Sequence, residues 1–278
     1  MKTILFIGGG RMSSALVGAM VTGGVSPEQI EVIEPDEQRR NLLRSSFKVT
    51  VSAGRDSENS SLSMHNVVVW AVKPQTFLAQ KVEFAKADTN LLHLSIMAGV
   101  TVANISELTQ ARRIVRAMPN MPASVGRGVT ALFAPSGLSP DDQEIASGIF
   151  AAAGEVVWLE KESMLDAATA ISGSGPAYLL YIMEAMQESG MRLGLSEEQT
   201  RQLVLATIEG VGAWGKSVTS SFRDLREAVT SPGGTTAAAI EVLETRRVRE
   251  AVADAVKSAA LRSQELTRTN LRSSSGLS

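Results

Sequence analysis

Seven residues, Thr230-Ser231-Pro232-Gly233-Gly234-Thr235-Thr236, place four hydroxyl groups on a Pro-Gly-Gly turn between two helix-like segments. Pro232 fixes one backbone angle, and the two glycines let a ligand approach the main chain closely. The run from Thr236 to Ile240 opens a new helix, whose unpaired N–H groups favour an anion. An ordinary helix connector with a Ser or Thr cap would carry the same letters. Its company along the chain has to decide between the two.

A second group of small residues stands at the other end of the sequence. Gly8-Gly9-Gly10-Arg11-Met12-Ser13 follows the apolar run Thr3 to Ile7 and leads into a helical pattern from Ser14 to Met20. The spacing is that of a dinucleotide loop: Gly8 makes the tight turn, and Gly10 admits a pyrophosphate to the helix start. Ser13 occupies the place usually held by glycine or alanine for close packing. Glu34, 26 positions after Gly8, ends the second apolar run, where a carboxylate accepts from an adenosine ribose and favours NAD. Arg39 and Arg40 follow closely and offer cations to a 2′-phosphate, so the choice between NADPH and NADH stays open. Ala71-Val72-Lys73-Pro74 ends a further strand pattern and puts Lys73 at the ligand-binding edge of such a sheet. Met118-Pro119-Asn120-Met121-Pro122 ends another, with two prolines fixing a loop that can present Asn120 to a nicotinamide.

Other patterns are excluded by their surroundings. Gly210 to Ser217 spells a P-loop, G-x-x-x-x-G-K-S, but lies after a helical run rather than a strand, so the glycines are read as helix-packing positions. His65 and His93, the two histidines, have no second ligand at metal spacing and are read as structural; no metal site is expected. The second half has no histidine and no Lys-x-x-x-Asn pattern, since Ser220 stands four positions after Lys216. Reduction of a ketone leaves an alkoxide that needs a positioned acid, whereas an iminium already carries its proton. Their absence favours a C=N substrate.

These residues need two kinds of scaffold. Through the first 160 positions, short β-branched runs alternate with helical patterns: Thr3 to Ile7, Ile30 to Ile33, Val67 to Val72, Leu91 to Ile96, Ile114 to Ala117, Val129 to Phe133 and Val156 to Leu159. Lys48 to Val51 gives a weaker strand signal. The alternation predicts a largely parallel, helix-covered sheet of the Rossmann type in an α/β dinucleotide-binding domain, residues 1–160. Residues 161–278 read as an all-α substrate-binding and dimerisation domain, with helices predicted over Pro176 to Leu193, Ser196 to Lys216, Ser221 to Val229, Thr236 to Glu244 and Arg246 to Thr269. Several of these are apolar around much of their circumference, which predicts a homodimer that covers them. Acidic and basic totals of 29 and 27 are interspersed, so neither nucleic acid nor membrane is expected as a partner. No cysteine is present, which excludes disulfides and thiolate chemistry. The first apolar run is too short for a signal-peptide core or a spanning helix, and a cytoplasmic location is expected.

Ala170-Ile-Ser172-Gly-Ser174-Gly-Pro176-Ala-Tyr178 opens the second half as a helix interrupted by Gly-Ser-Gly and restarted by proline. With Gly8 to Met12, Ala71 to Gln75, Met118 to Asn120 and Val229 to Thr236 in the same order, the chain resembles pyrroline-5-carboxylate reductase from about residue 3 to about residue 268. The resemblance implies hydride transfer from NADPH or NADH to 1-pyrroline-5-carboxylate, a small anionic cyclic imine, giving L-proline in the last step of its biosynthesis. It also implies a homodimer with interlocked C-terminal helices, often assembled further into a decamer. Carried over by position, Ser231, Gly233, Gly234, Thr235 and Thr236 receive the substrate carboxylate, with the Thr236 hydroxyl near the ring nitrogen as the catalytic group. The cofactor positions are Ile7, Gly8, Gly10, Arg11, Met12, Ser13, Glu34, Asn59, Ala71, Val72, Lys73, Pro74, Met97, Ala98 and Asn120. Met121, Met97 and Arg11 depart from the residues usual at those places, which bears on cofactor preference more than on the reaction. Another imine or 3-hydroxyacid reductase of the same plan, or a non-catalytic dinucleotide-binding regulator, would share the first domain; the hydroxyl-rich turn argues against a regulator, and the missing lysine against a hydroxyacid enzyme.

Overall fold

A computed structural model describes residues 3–54, 65–79 and 91–274, the last four of these by backbone alone. The first compact unit comprises residues 1–174 with 259–278, and the second residues 175–258.

Eight strands form one sheet in the first unit: β1 (Ile4–Ile7), β2 (Ile30–Ile33), β3 (Thr50–Ser52), β4 (Val67–Trp70), β5 (Leu92–Ser95), β6 (Arg113–Met118), β7 (Gly128–Phe133) and β8 (Gly154–Trp158). Their order is β3-β2-β1-β4-β5-β6-β7-β8. The first six run parallel in the doubly wound order 3-2-1-4-5-6. β7 turns back antiparallel to β6 because the connection, residues 119–127, is too short for a crossover. α5 (Pro140–Ala151) is long enough, and β8 accordingly lies parallel to β7.

Alternate side chains of each central strand serve two cores. Ile4, Phe6, Val67 and Val69 pack with α1 (Arg11–Thr22), α2 (Glu37–Phe47) and α5. Leu5, Ile7, Val68 and Trp70 pack with α3 (Pro74–Ala79) and α4 (Val102–Thr109). Burial on both faces is why these strands read as unbroken apolar runs rather than alternating ones. Each fully buried large side chain contributes about 1.5–3 kcal/mol relative to exposure.

The first compact unit takes in residues beyond 160. α6 (Met164–Ala168) and the π-helical turn Thr169–Gly173 stay with the sheet, with Leu165 and Ala170 buried. The end of α11 (Val248–Ser274) also returns to the first unit, where the Ser263 hydroxyl donates to Asp166 at 2.6 Å and Asn270 donates to the Gly99 carbonyl at 3.1 Å. The second unit holds α7 (Gly175–Arg192), α8 (Glu197–Ser217), α9 (Phe222–Ala228), α10 (Thr235–Thr245) and the first part of α11. The P-loop letters fall inside α8, so no phosphate loop forms there.

Candidate active site

The dinucleotide end is built where β1 meets α1. Gly8 has φ +104°, and a Cβ there would stand 2.6 Å from the Ala71 carbonyl oxygen. Its N–H donates to the Ile33 carbonyl, and the Ala71 N–H donates to that of Ile7, so the loop is pinned across the ends of three strands. Ser13 is buried and its hydroxyl donates back to the Gly8 carbonyl, which explains a serine at the close-packing position. α1 has no side-chain cap, and a Cβ on Gly10 would meet nothing within 4 Å. This open helix start with free N–H groups fits a pyrophosphate.

Around it, Ala71 and Val72 are half-buried at the end of β4, Lys73 is exposed, and Pro74 is the first residue of α3. Ile7 and Met97 point into the core, leaving only their backbones to border the loop, whereas Ala98 is exposed. Arg11 and Arg39 stand at an apolar cleft of about 490 Å³ lined also by Ala15, Leu42, Phe47 and Met121. Glu34 is buried, accepting from the Gly9 N–H at 2.7 Å and the Asp36 N–H at 2.9 Å. Asn59 lies outside the described residues.

Asn120 is turned differently from expectation. Its side chain faces inward at 7% exposure rather than outward from the β6–β7 loop. The amide oxygen accepts from the Val129 N–H at 2.9 Å, and the amide nitrogen donates to the Ser172 carbonyl at 3.0 Å. Ser172 lies four residues before Pro176, which has no N–H to give it. Two further polar ties went unread in the sequence. Glu162 accepts from the Val102 N–H at the start of α4 and from Arg116, and Asn270 holds the Gly99 loop after β5.

In the second unit the hydroxyl-rich turn has the shape its letters predict. The Gly234 N–H donates to the Ser231 carbonyl at 3.1 Å, with Pro232 second in the turn and Gly233 third at φ +72°. A positive φ at the third place defines a type II turn and selects glycine. Gly234 then caps α10 with no side-chain hydrogen bond, leaving the Thr235, Thr236 and Ala237 N–H groups for a ligand. Neighbouring helices contrast with this. α8 and α9 begin with complete capping boxes, Ser196 with Gln199 and Ser221 with Asp224. Thr230 is spent on the end of α9, its hydroxyl donating to the Arg226 carbonyl, while Ser231 and Thr235 are exposed and Thr236 is half-buried.

The histidines serve the first unit's packing. His93 Nδ1 accepts from the buried Trp70 indole at 3.0 Å, and His65 Nε2 lies 3.1 Å from a Glu31 carboxylate oxygen. Among the described residues no group of three or more His, Cys, Asp or Glu side chains could hold a metal ion. Nor is any helix among them long and apolar enough to cross a membrane.

A family model described as pyrroline-5-carboxylate reductase dimerisation matches residues 162–266, and one described as NADP oxidoreductase, coenzyme F420-dependent, matches residues 3–99. The pyrroline-5-carboxylate reductase of Synechocystis sp. is 38% identical over 261 residues, covering 94% of this chain and 96% of the relative. The chain is also similar to a solved pyrroline-5-carboxylate reductase from Coxiella burnetii, with a TM-score of 0.86, 37% identity and coverage of 96% and 98%. The Plasmodium falciparum enzyme solved with NADP bound aligns with a TM-score of 0.80 at 28% identity, covering 96% of this chain and 98% of its own.

Proposed function

This chain belongs to the pyrroline-5-carboxylate reductase family, and from that premise we infer which of its residues do the work. It reduces 1-pyrroline-5-carboxylate to L-proline with NADPH or NADH, the last step of proline biosynthesis. The bound nicotinamide supplies the hydride that saturates the C=N bond. The first 160 residues hold the dinucleotide: Gly8, Gly10, Arg11, Met12 and Ser13 at its pyrophosphate, Glu34 at its adenosine, and Ala71 to Pro74 with Ala98 along the strand ends.

Residues 161–278 hold the imine. The uncapped start of α10 carries this assignment, because it leaves three N–H groups aimed along one axis while its neighbours spend theirs on capping boxes. Those donors and the helix dipole bind the substrate carboxylate, with the Ser231 hydroxyl beside them. Thr236 acts at the ring nitrogen. A hydroxyl both accepts and donates, so it takes the iminium N–H first and serves the nitrogen lone pair that forms as the adjacent carbon gains hydride.

The C-terminal region is the family's dimerisation region. Leu179, Leu180 and Tyr181 on α7 and Leu203 on α8 are more than half exposed in a single chain, which supports a homodimer through these helices. A decamer is the larger assembly this reading includes, and the cytoplasm its location. The test is direct: purified protein is mixed with pyrroline-5-carboxylate and each reduced cofactor, following nicotinamide absorbance and proline together. Absence of proline with both cofactors overturns the reading.

A further inference from the structure

The fixed carboxylate at the end of β2 bears on which cofactor the chain prefers. In a doubly wound sheet the adenosine ribose lies at the C-terminal end of the second strand. Glu34 follows β2 there at 4% exposure, its main-chain N–H donating to the Ser52 carbonyl at 3.0 Å. Each carboxylate oxygen already accepts one main-chain donor, Gly9 to Oε2 and Asp36 to Oε1. Two main-chain hydrogen bonds therefore hold this buried carboxylate in place, and swinging it aside would break both. An ionised carboxylate has about four acceptor positions, so about two remain, enough for the two hydroxyls of an unphosphorylated ribose.

Neither nearby arginine is set up as a phosphate clamp. Arg40 Nη1 donates to the main-chain carbonyls of Glu34 and Pro35, at 3.0 and 2.5 Å, and so braces the same turn. Arg39 is 59% exposed with Nη1 4.0 Å from Glu34 Oε2, already balancing that carboxylate. A 2′-phosphate would bring a charge of roughly −1.5 to −2 and no dependable proton to donate. NADPH therefore loses a hydrogen bond that NADH makes, and it meets like charge.

We propose that Glu34 makes this chain prefer NADH over NADPH; the proposal rests on the cofactor reading given above. Isothermal titration of the full-length protein with each reduced cofactor, checked by thermal shift, gives the two dissociation constants. The expected result is NADH tighter by about tenfold or more, one hydrogen bond and one repulsion being worth at least that factor. In Glu34→Ser and Glu34→Gln the difference shrinks to about threefold or less, because the fixed charge is gone. Arg39→Ala leaves NADPH no weaker relative to NADH. Equal or tighter binding of NADPH by the unaltered protein overturns the proposal while leaving the family reading intact; failure to bind either overturns the cofactor reading. A preference that survives in both Glu34 variants overturns the assignment to Glu34, and a selective loss of NADPH in Arg39→Ala identifies Arg39 as the phosphate ligand instead.

Discussion

Replacing Asn120 by alanine separates a residue that touches the nicotinamide from one that shapes the backbone near it. The structure gives the amide two jobs, accepting from the Val129 N–H and donating to the Ser172 carbonyl. An unsatisfied buried group costs about 1–3 kcal/mol, so leaving both partners unmet should destabilise by roughly 2–6 kcal/mol. The Ser172 carbonyl lacks a helical donor because residue 176 is proline, and Pro176→Ala supplies an N–H four residues on. Alone, that change should cost at most about 1 kcal/mol, chiefly through the unfolded chain. Combined with Asn120→Ala it should recover about 1 kcal/mol, the net worth of one hydrogen bond. Urea unfolding of the four proteins measures this coupling, and cofactor titration accompanies it. Cofactor affinity should change less than about threefold, since both bonds of the amide go to the protein's own backbone. Additivity within about 0.3 kcal/mol would refute the shared carbonyl. A tenfold loss of cofactor affinity with stability unchanged would show that the amide reaches the nicotinamide after all.

Thr236→Ala should lower kcat by about a hundredfold, the usual order for a positioned proton-handling group, while cofactor binding persists; unchanged steady-state kinetics removes Thr236 from the mechanism. Gly233→Ala forces a side chain into φ +72° and should cost about 1–2 kcal/mol along with imine affinity, read by thermal unfolding and by KM. Asp142→Ala strips the bidentate partner from Arg113 and should cost about 1–3 kcal/mol, less than a fully buried pair because the arginine is partly exposed. Hydrogen bonding to Asp142 raises the Arg113 pKa above its already high ordinary value, so the guanidinium's contribution is complete below that value and should not decline between about pH 6 and 9 in urea titrations. Leu180→Glu on the exposed face of α7 should shift the protein toward monomer in light scattering, and an unchanged mass would place the dimer contact elsewhere.

What the sequence made legible follows from the range of the forces involved. The Pro-Gly-Gly turn, its positive φ at Gly233 and the helix at Thr235 depend on neighbouring residues, so their letters sufficed. β1 and β4 announced themselves because burial on both faces selects apolar side chains along their whole length. β7 ran antiparallel for a reason also present in the letters, a connection too short to cross over. The inward bonding of the Asn120 side chain was not legible because one partner lies 52 positions away, and hydrogen bonds across such distances leave no spacing pattern. The tie from Asn270 to the Gly99 carbonyl, 171 positions apart, was hidden for the same reason. One local signal was nonetheless available. A proline inside the first turn of a helix that continues an earlier one removes the donor for the carbonyl four residues back, and that carbonyl must be met from outside the helix. Pro176 therefore required a donor near Ser172, and a polar side chain fixed between two prolines at residues 119 and 122 was a candidate to supply it. Read as a demand for a hydrogen bond, the Gly-Ser-Gly-Pro break would have sent the Asn120 side chain inward, where its amide nitrogen donates to the Ser172 carbonyl.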